Sequence, residues 1–421
     1  MADINVMSQI EKIENTVMSG LKDFQKATVT RIDQLYRAGQ MRVLVSDEVG
    51  LGKTLIARGT IAKLAKMQKE AGDNLVKVVY ICSNASIAEQ NLNKLRITSE
   101  LRTEHTGSSR LSMQHLNIFK QENDSDLLSR YIQLIPLTPD TSFRMTNGAG
   151  TYSERALMFA ILRRLPELSP YTKALEFAMK DGASSGWDGW AKSWYETEVV
   201  ECDKLSGGKY LSYMLDKLSV ELRETVEENV TYLDLIIGMC KNIEKYGYKK
   251  QNNTYVIGKL RVLFAKISLD KLEPDLVIMD EFQRFKYLIN SDPESETGML
   301  ANKFFNSDKV RMLLLSATPY KMYSTLEEID EAQVDEHYSE FFDVMNFLNI
   351  TEKEKNKFKS VWSNYSVHLK ELTDGDTTIL AAKKAAEDAM YQHICRTERV
   401  SATENADIID DKDVNVPLSV M

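Results

Sequence analysis

The chain has little of what would place it outside the cytosol or build it around a structural metal. Its 421 residues hold four cysteines, Cys82, Cys202, Cys240 and Cys395, far apart and without a CxxC pair or clustered histidines. That spacing excludes a disulfide scaffold and speaks against zinc, so the thiols read as reduced and partly buried. No apolar run is long enough to span a bilayer, and the opening MADINVMSQIEKIENT lacks the basic and apolar regions of a signal peptide. The expected setting is cytoplasmic, with no membrane partner. An excess of positive charge is missing too. The formal net charge of −9 does not announce nucleic-acid binding, though it leaves room for a local basic groove. With 43% hydrophobic and 27% charged residues the composition is that of a folded globular protein, large enough for one big or two ordinary domains.

What is present is concentrated in VLVSDEVGLGKTLIARG, from Val43 to Gly59. An apolar strand runs into a glycine loop, and a lysine-threonine pair opens a helix, the layout of a phosphate cradle. Gly50 and Gly52 let the backbone turn and present N–H groups, with Asp47, Glu48, Val49 and Leu51 completing the loop. Lys53 would reach the terminal phosphates and the Thr54 hydroxyl would hold a magnesium ion. The loop departs from GxxxxGK[ST] in one place: Asp47 stands where the first glycine is expected.

Apolar periodicity predicts a helix up to about Met18 and a second over LKDFQKATVTRIDQLYRAG. A third follows the loop from Thr54 to Lys69, then comes a buried strand, VKVVYICS, and a helix from about Ser86 to Leu95. Strand alternating with helix implies a parallel sheet whose ligands gather at the carboxyl ends of the strands. YIQLIPL is a third strand, leading into TPDTSF. From Ser153 to Lys271 the pattern turns mainly helical, too long for a loop, and reads as an inserted subdomain. Within it DGASSGWDGWAKSWY carries Trp187, Trp190 and Trp194, read as a loop pinned by aromatic packing rather than a stacking platform, because interleaved Arg and Lys are sparse.

Two further strand ends carry chemistry. PDLVIMDEFQRFKYL ends a short apolar strand in Asp280 and Glu281, one carboxylate suited to holding magnesium and its neighbour to activating water. VRMLLLSATPYK ends another in Ser316, Ala317, Thr318 and Pro319, with the small hydroxyl side chains of Ser316 and Thr318 placed to sense the acidic pair.

DEVGLGKT, DEFQ and SATP in this order resemble the nucleotide-binding lobe of superfamily-two, DEAD/DEAH-box-like helicases and translocases, and the loop looks most like the Swi/Snf-type branch. The resemblance runs roughly from Leu21 to Pro319 apart from the helical insert. It implies an α/β fold of the P-loop NTPase (RecA-like) kind, a parallel sheet flanked by helices. It also implies ATP and Mg2+ as cofactors, Lys53 on the phosphates, Thr54 and Asp280 on the metal, Glu281 as catalytic base and Gln283 at the fourth position of the DExx box. Ser316, Ala317 and Thr318 would couple ATP state to grip on nucleic acid. Phe24 and Gln25 resemble the glutamine motif that reads adenine. Ser83, Asn84, Thr138 and Pro139 sit where such proteins contact the nucleic-acid backbone.

The resulting division is residues 1–150 and 272–325 as the two parts of the RecA-like lobe, 151–271 as a helical insertion and 326–421 as a helical C-terminal extension. Relatives place a second RecA-like lobe next and draw charge-stabilising arginines from it. CRTERV resembles the junction to that lobe, so a fragment, a split-gene half or a truncated chain is expected, with the second lobe in a longer chain or a partner protein. Arg396 and Arg399 read as helix-end charges in water. The expected function is the ATP-binding lobe of a nucleic-acid-dependent ATPase, on DNA rather than RNA, with a prokaryotic defence or mobile-element setting suggested by the surroundings of DEFQRF and SATPYK. The alternative is a nucleotide-binding regulatory or interaction module without translocation.

Overall fold

The computed structural model describes residues 2–48, 50–99, 101, 110–143, 148–180, 184–227, 229–247, 253–289, 291–292, 295–305, 310–316, 341–370 and 378–396. Val49, Ala317, Thr318 and Arg399, together with the side chain of Gln283, lie outside what is described.

Six parallel strands form the central sheet. They are β1 (Arg42–Val45), β2 (Val76–Ile81), β3 (Ile132–Leu137), β6 (Leu276–Asp280), β7 (Arg311–Leu315) and β8 (Ile394–Cys395), in the order β3-β2-β6-β7-β1-β8. A small antiparallel pair, β4 (Thr225–Glu227) and β5 (Val230–Thr231), lies in the insertion. The strands of the sheet read as nearly unbroken apolar runs because both faces are covered. Alternate residues go to opposite cores. Val43, Val45, Val78, Tyr80, Leu276, Ile278, Leu313 and Leu315 pack under the helices α1 (Ala2–Ser19), α2 (Asp23–Arg37), α3 (Lys53–Glu70) and α4 (Ala85–Leu95). Leu44, Val79, Ile81, Val277, Met279, Met312 and Leu314 pack on the other face against the Asn253–Leu272 helix and an aromatic cluster that includes Phe285, Phe304, Phe305 and Phe341. This is the α/β layering expected from the alternation of strands and helices, and it fits the RecA-like fold that the resemblance implies.

Close approach holds the first layer together. A Cβ on Gly59 of α3 would stand 2.8 Å from Val29 Cγ2 of α2, so the glycine lets the two helices touch. Glu14 of α1 is buried between Lys63 and Lys66 of α3, at 2.6 and 3.1 Å.

The insertion has a core of its own, built from Phe159, Leu175, Trp187, Met214, Cys240, Leu260 and their neighbours. The Tyr152–Leu162 helix is buried from Glu154 to Leu162, and its apolar run from Ala156 on is what a helix covered on all sides requires. This core also takes in Met113, Leu116 and Phe119, which precede β3, so the packing unit reaches outside the stretch 151–271. The Asn253–Leu272 helix belongs to both bodies: Leu260, Leu263, Phe264 and Ile267 enter the insertion core, while Val262, Ala265, Leu269 and Leu272 enter the sheet core. It then leads directly into β6.

Two expectations are corrected here. The WDGWA stretch is not a loop but a π-helical turn, Trp187–Ala191, continuous with the Lys192–Leu205 helix, with Trp187 fully buried and Trp190 and Trp194 exposed. The C-terminal extension is not helical throughout: after the Glu352–Lys370 and Thr378–Tyr391 helices it returns to the sheet as β8, beside β1. Arg31 Nη2 donates to Tyr391 O at 3.1 Å and Leu44 N–H to His393 O at 2.7 Å, fastening that return. All four cysteines are free thiols and fully buried, further from solvent than their spacing implied. Among the described residues no helix is long and apolar enough to cross a membrane.

Candidate nucleotide-binding site

Strand order brings the three chemical landmarks together. β7 lies between β1 and β6, with Val45 and Asp280 both in register with Leu315. The residues that follow, Ser46 and Asp47 from β1, Ser316 from β7 and Glu281 from β6, therefore emerge side by side at the carboxyl edge, where such sheets bind ligands. Ser316 is buried and its N–H donates to Val45 O at 3.0 Å, joining the β7 end to the start of the glycine loop.

The loop has the conformation that its glycines permit. Gly50 and Gly52 have φ of +87° and +78°, in the left-handed region that a side chain disfavours. Gly52 caps α3, its carbonyl accepting the N–H groups of Leu55 and Ile56 at 2.8 and 3.1 Å. The positive end of the helix dipole thus faces the loop. Asp47, which stands where the longer motif has glycine, is fully buried. Lys53 Nζ turns back onto the loop and donates to Asp47 O at 2.9 Å and Glu48 O at 3.0 Å. Burial lowers the Lys53 pKa from its ordinary value, while the charges of Asp47, Asp280 and Glu281 oppose that shift. Carbonyl partners are exchangeable ones for an ammonium group that could instead take phosphate oxygens. Thr54, half-buried, follows at the helix start.

Gln25 braces the loop from α2. Its Nε2 donates to Leu51 O at 3.0 Å, and its Oε1 accepts the Lys22 N–H at 3.0 Å. Each end of the amide keeps one further hydrogen or lone pair.

On β6, Asp280 and Glu281 differ sharply. Asp280 Oδ2 accepts the Tyr80 hydroxyl at 2.6 Å and Asn91 Nδ2 at 3.3 Å. Glu281 is exposed and has φ of +55°, backbone strain of roughly 1–3 kcal/mol that is common at functional sites. Its carboxylate meets Arg284 at 2.8 Å on the surface, a pair of little energetic weight. Tyr80, Asn91 and Arg284 went unread in the sequence. The one available signal was Tyr80, a phenol in a strand otherwise made of aliphatic residues and Lys77.

The expected nucleic-acid contacts divide. Ser83 is half-buried and Asn84 exposed at the end of β2. Thr138 and Pro139 are buried, so their side chains do not reach the surface and drop out as side-chain contacts; they follow directly on β3, an edge strand that is buried along its whole length. Arg396 directly follows β8, at the same sheet edge as the loop, instead of ending a helix in water.

The donor set suits Mg2+. One threonine hydroxyl and one carboxylate are hard oxygen ligands of the kind that leave the remaining positions to phosphate and water. Among the described residues there is no cluster of three or more His, Cys, Asp or Glu that could hold a metal ion.

Residues 18–135 match the profile of the family described as "Type III restriction enzyme, res subunit". That stretch takes in α2, the glycine loop, α3, β2, α4 and most of β3, and stops before the acids of β6. Fold and match together define the class: a helicase-like, RecA-type ATPase lobe, to which the chain is similar over those residues. No curated protein and no solved structure matches.

Proposed function

We propose that this chain is the ATP-binding lobe of a nucleic-acid-dependent ATPase that moves on DNA. The observation that supports it most is the side-by-side order of β1, β7 and β6, which sets the lysine loop, Ser316 and the acidic pair around one edge. On this reading Lys53 leaves the Asp47 and Glu48 carbonyls for the ATP phosphates. The Gly50–Thr54 backbone N–H groups take the phosphate oxygens, and the remaining hydrogen and lone pair of Gln25 read adenine. Thr54 and Asp280 would hold Mg2+, which would supply charge neutralisation on the phosphates. Glu281 swings off Arg284 to take a proton from the attacking water, and Gln283 follows two residues on at the fourth position of the box. Ser316, Ala317 and Thr318 feel the change in charge between the two strands they separate. Ser83 and Asn84 touch the DNA backbone. A second RecA-like lobe, in a longer chain or a partner, supplies the arginines.

DNA is favoured over RNA by the Swi/Snf-like loop and by the restriction-enzyme description of the matched family. Both also fit a prokaryotic defence or mobile-element role in the cytoplasm. The docking of a large helical body onto the helix that leads into β6 favours a second reading, a regulatory module that signals ATP state without moving.

The test is ATP turnover with single-stranded DNA, duplex DNA or neither, in the wild type and in Glu281→Gln. DNA-stimulated turnover is expected, with a fall of roughly 10²- to 10⁴-fold in the variant and unchanged ATP binding. Turnover indifferent to Glu281 overturns the assignment, and turnover indifferent to DNA favours the regulatory reading.

A further inference from the structure

Tyr80 and Asn91 lie on either side of the tip at Ser83–Asn84. Tyr80 belongs to β2, three residues before the tip, and Asn91 to α4, seven residues after Asn84. Both donate to the same carboxylate oxygen, Asp280 Oδ2, and Asn91 Nδ2 also donates to the Tyr80 hydroxyl at 2.8 Å. The three groups close a triangle. Register explains why they meet: Tyr80 pairs with Ile278, and Asp280, two residues on, shares its face of the sheet and is its diagonal neighbour.

The triangle is held rigidly. Tyr80 is buried, and its hydroxyl reaches Asp280 Oδ2 at 2.6 Å from the neighbouring strand. α4 is pinned by Ala88, Leu92 and Leu95, all buried in the core beneath it. Its first turn is closed by the Ala88 N–H donating to Asn84 O at 2.8 Å, and the Cys82 thiol meets the same oxygen at 3.1 Å. A strand, its tip and the helix after it therefore form one unit, and that unit grips Asp280 from both sides of the tip. Moving the tip moves the donors.

We propose that Tyr80 and Asn91 are positioning residues that orient the Asp280 carboxylate and tie it to the Ser83–Asn84 tip, so that nucleic acid docked at the tip changes how the site holds its divalent cation. The proposal rests on the reading of the site given above. With Oδ2 occupied by two donors, the rotation of the carboxylate is fixed and Oδ1 is the oxygen that neither donor engages. Such outer hydrogen bonds set the affinity and geometry of metal sites.

The experiment measures Mn2+ affinity by electron paramagnetic resonance on the full chain with a non-hydrolysable ATP analogue, with and without a single-stranded DNA oligonucleotide. In the wild type the oligonucleotide is expected to shift Mn2+ affinity. Tyr80→Phe and Asn91→Leu should each weaken Mn2+ binding roughly 10- to 100-fold and remove its response to the oligonucleotide, while metal-free analogue binding stays at the wild-type level. Asn91 is half-buried on α4, so its substitution reports even if Tyr80→Phe fails to fold. Wild-type affinity and wild-type response in the variants overturn the proposal alone. A wild-type chain that binds neither analogue nor Mn2+ overturns the site reading and the proposal with it.

Discussion

The sheet edge and the helical insertion treat charge in opposite ways. At the edge, Lys53 rests on two backbone carbonyls and Glu281 on the exposed Arg284, partners that can be given up at little cost. In the insertion, Glu154 is wholly buried and held by Arg261 at 3.0 Å, Arg110 at 3.5 Å and the Ser112 hydroxyl. Arg261 is buried with it and also donates to Gly148 O at 3.0 Å. One region leaves its charges on partners that a ligand can replace, and the other spends them on joining segments distant in sequence. The difference separates the part that acts from the part that carries.

The sharpest way to break this contrast is to remove one charge from each region. Glu154→Ala leaves Arg261 buried beside a void, and is expected to cost about 3–5 kcal/mol of stability. Arg284→Ala should change stability by less than about 1 kcal/mol. Chemical denaturation of the two variants checks this, and equal effects would erase the distinction.

The same contrast decides what could be read in advance. The glycine loop was legible because each of its residues answers a local demand: positive φ at Gly50 and Gly52, a helix start at Lys53, an apolar strand before it. Asp280 and Glu281 were legible as acids ending a strand. β8 was not, since Ile394 and Cys395 make a strand only by pairing with Leu44 and Val45, some 350 residues earlier, and two residues carry no periodicity. The buried state of Thr138 was hidden for a similar reason, as local polarity says nothing of what covers it. Nothing local marks Glu154, because its partners Arg261 and Ser112 come from segments distant in sequence. The reach of the insertion core back to Met113, Leu116 and Phe119 was equally invisible, because those residues fit a helix beside β3 just as well.

A second contrast is in pH. His115 is buried in the insertion, with its Nδ1 3.1 Å from the Tyr210 hydroxyl and its ring near Phe264. Burial pulls its pKa from 6.5 down to about 3. The folded imidazole is then neutral where the unfolded one takes a proton, so its contribution is complete above pH 6.5 and is lost as pH falls from there toward 3. Between pH 7 and 4.5 this amounts to up to about 3 kcal/mol. Thermal midpoints across that range should fall more steeply for the wild type than for His115→Gln, and parallel curves would remove His115 from the account.

The smallest effect isolates the loop. A Cβ on Gly52 would stand 2.5 Å from Gln25 Nε2, whereas one on Gly50 meets nothing within 4 Å. Gly50→Ala therefore carries only the left-handed backbone cost, roughly 1 kcal/mol. Gly52→Ala adds the displacement of Gln25 from Leu51 O, about another 1 kcal/mol. If Gln25 is the obstacle, Gln25→Ala should absorb part of the Gly52→Ala cost, and the pair should be less destabilising than the two changes summed. ATP binding by the double variant then separates two roles for Gln25. Binding restored relative to Gly52→Ala means that the glutamine matters as a brace under the loop, whereas binding lost further means that its amide also meets the nucleotide.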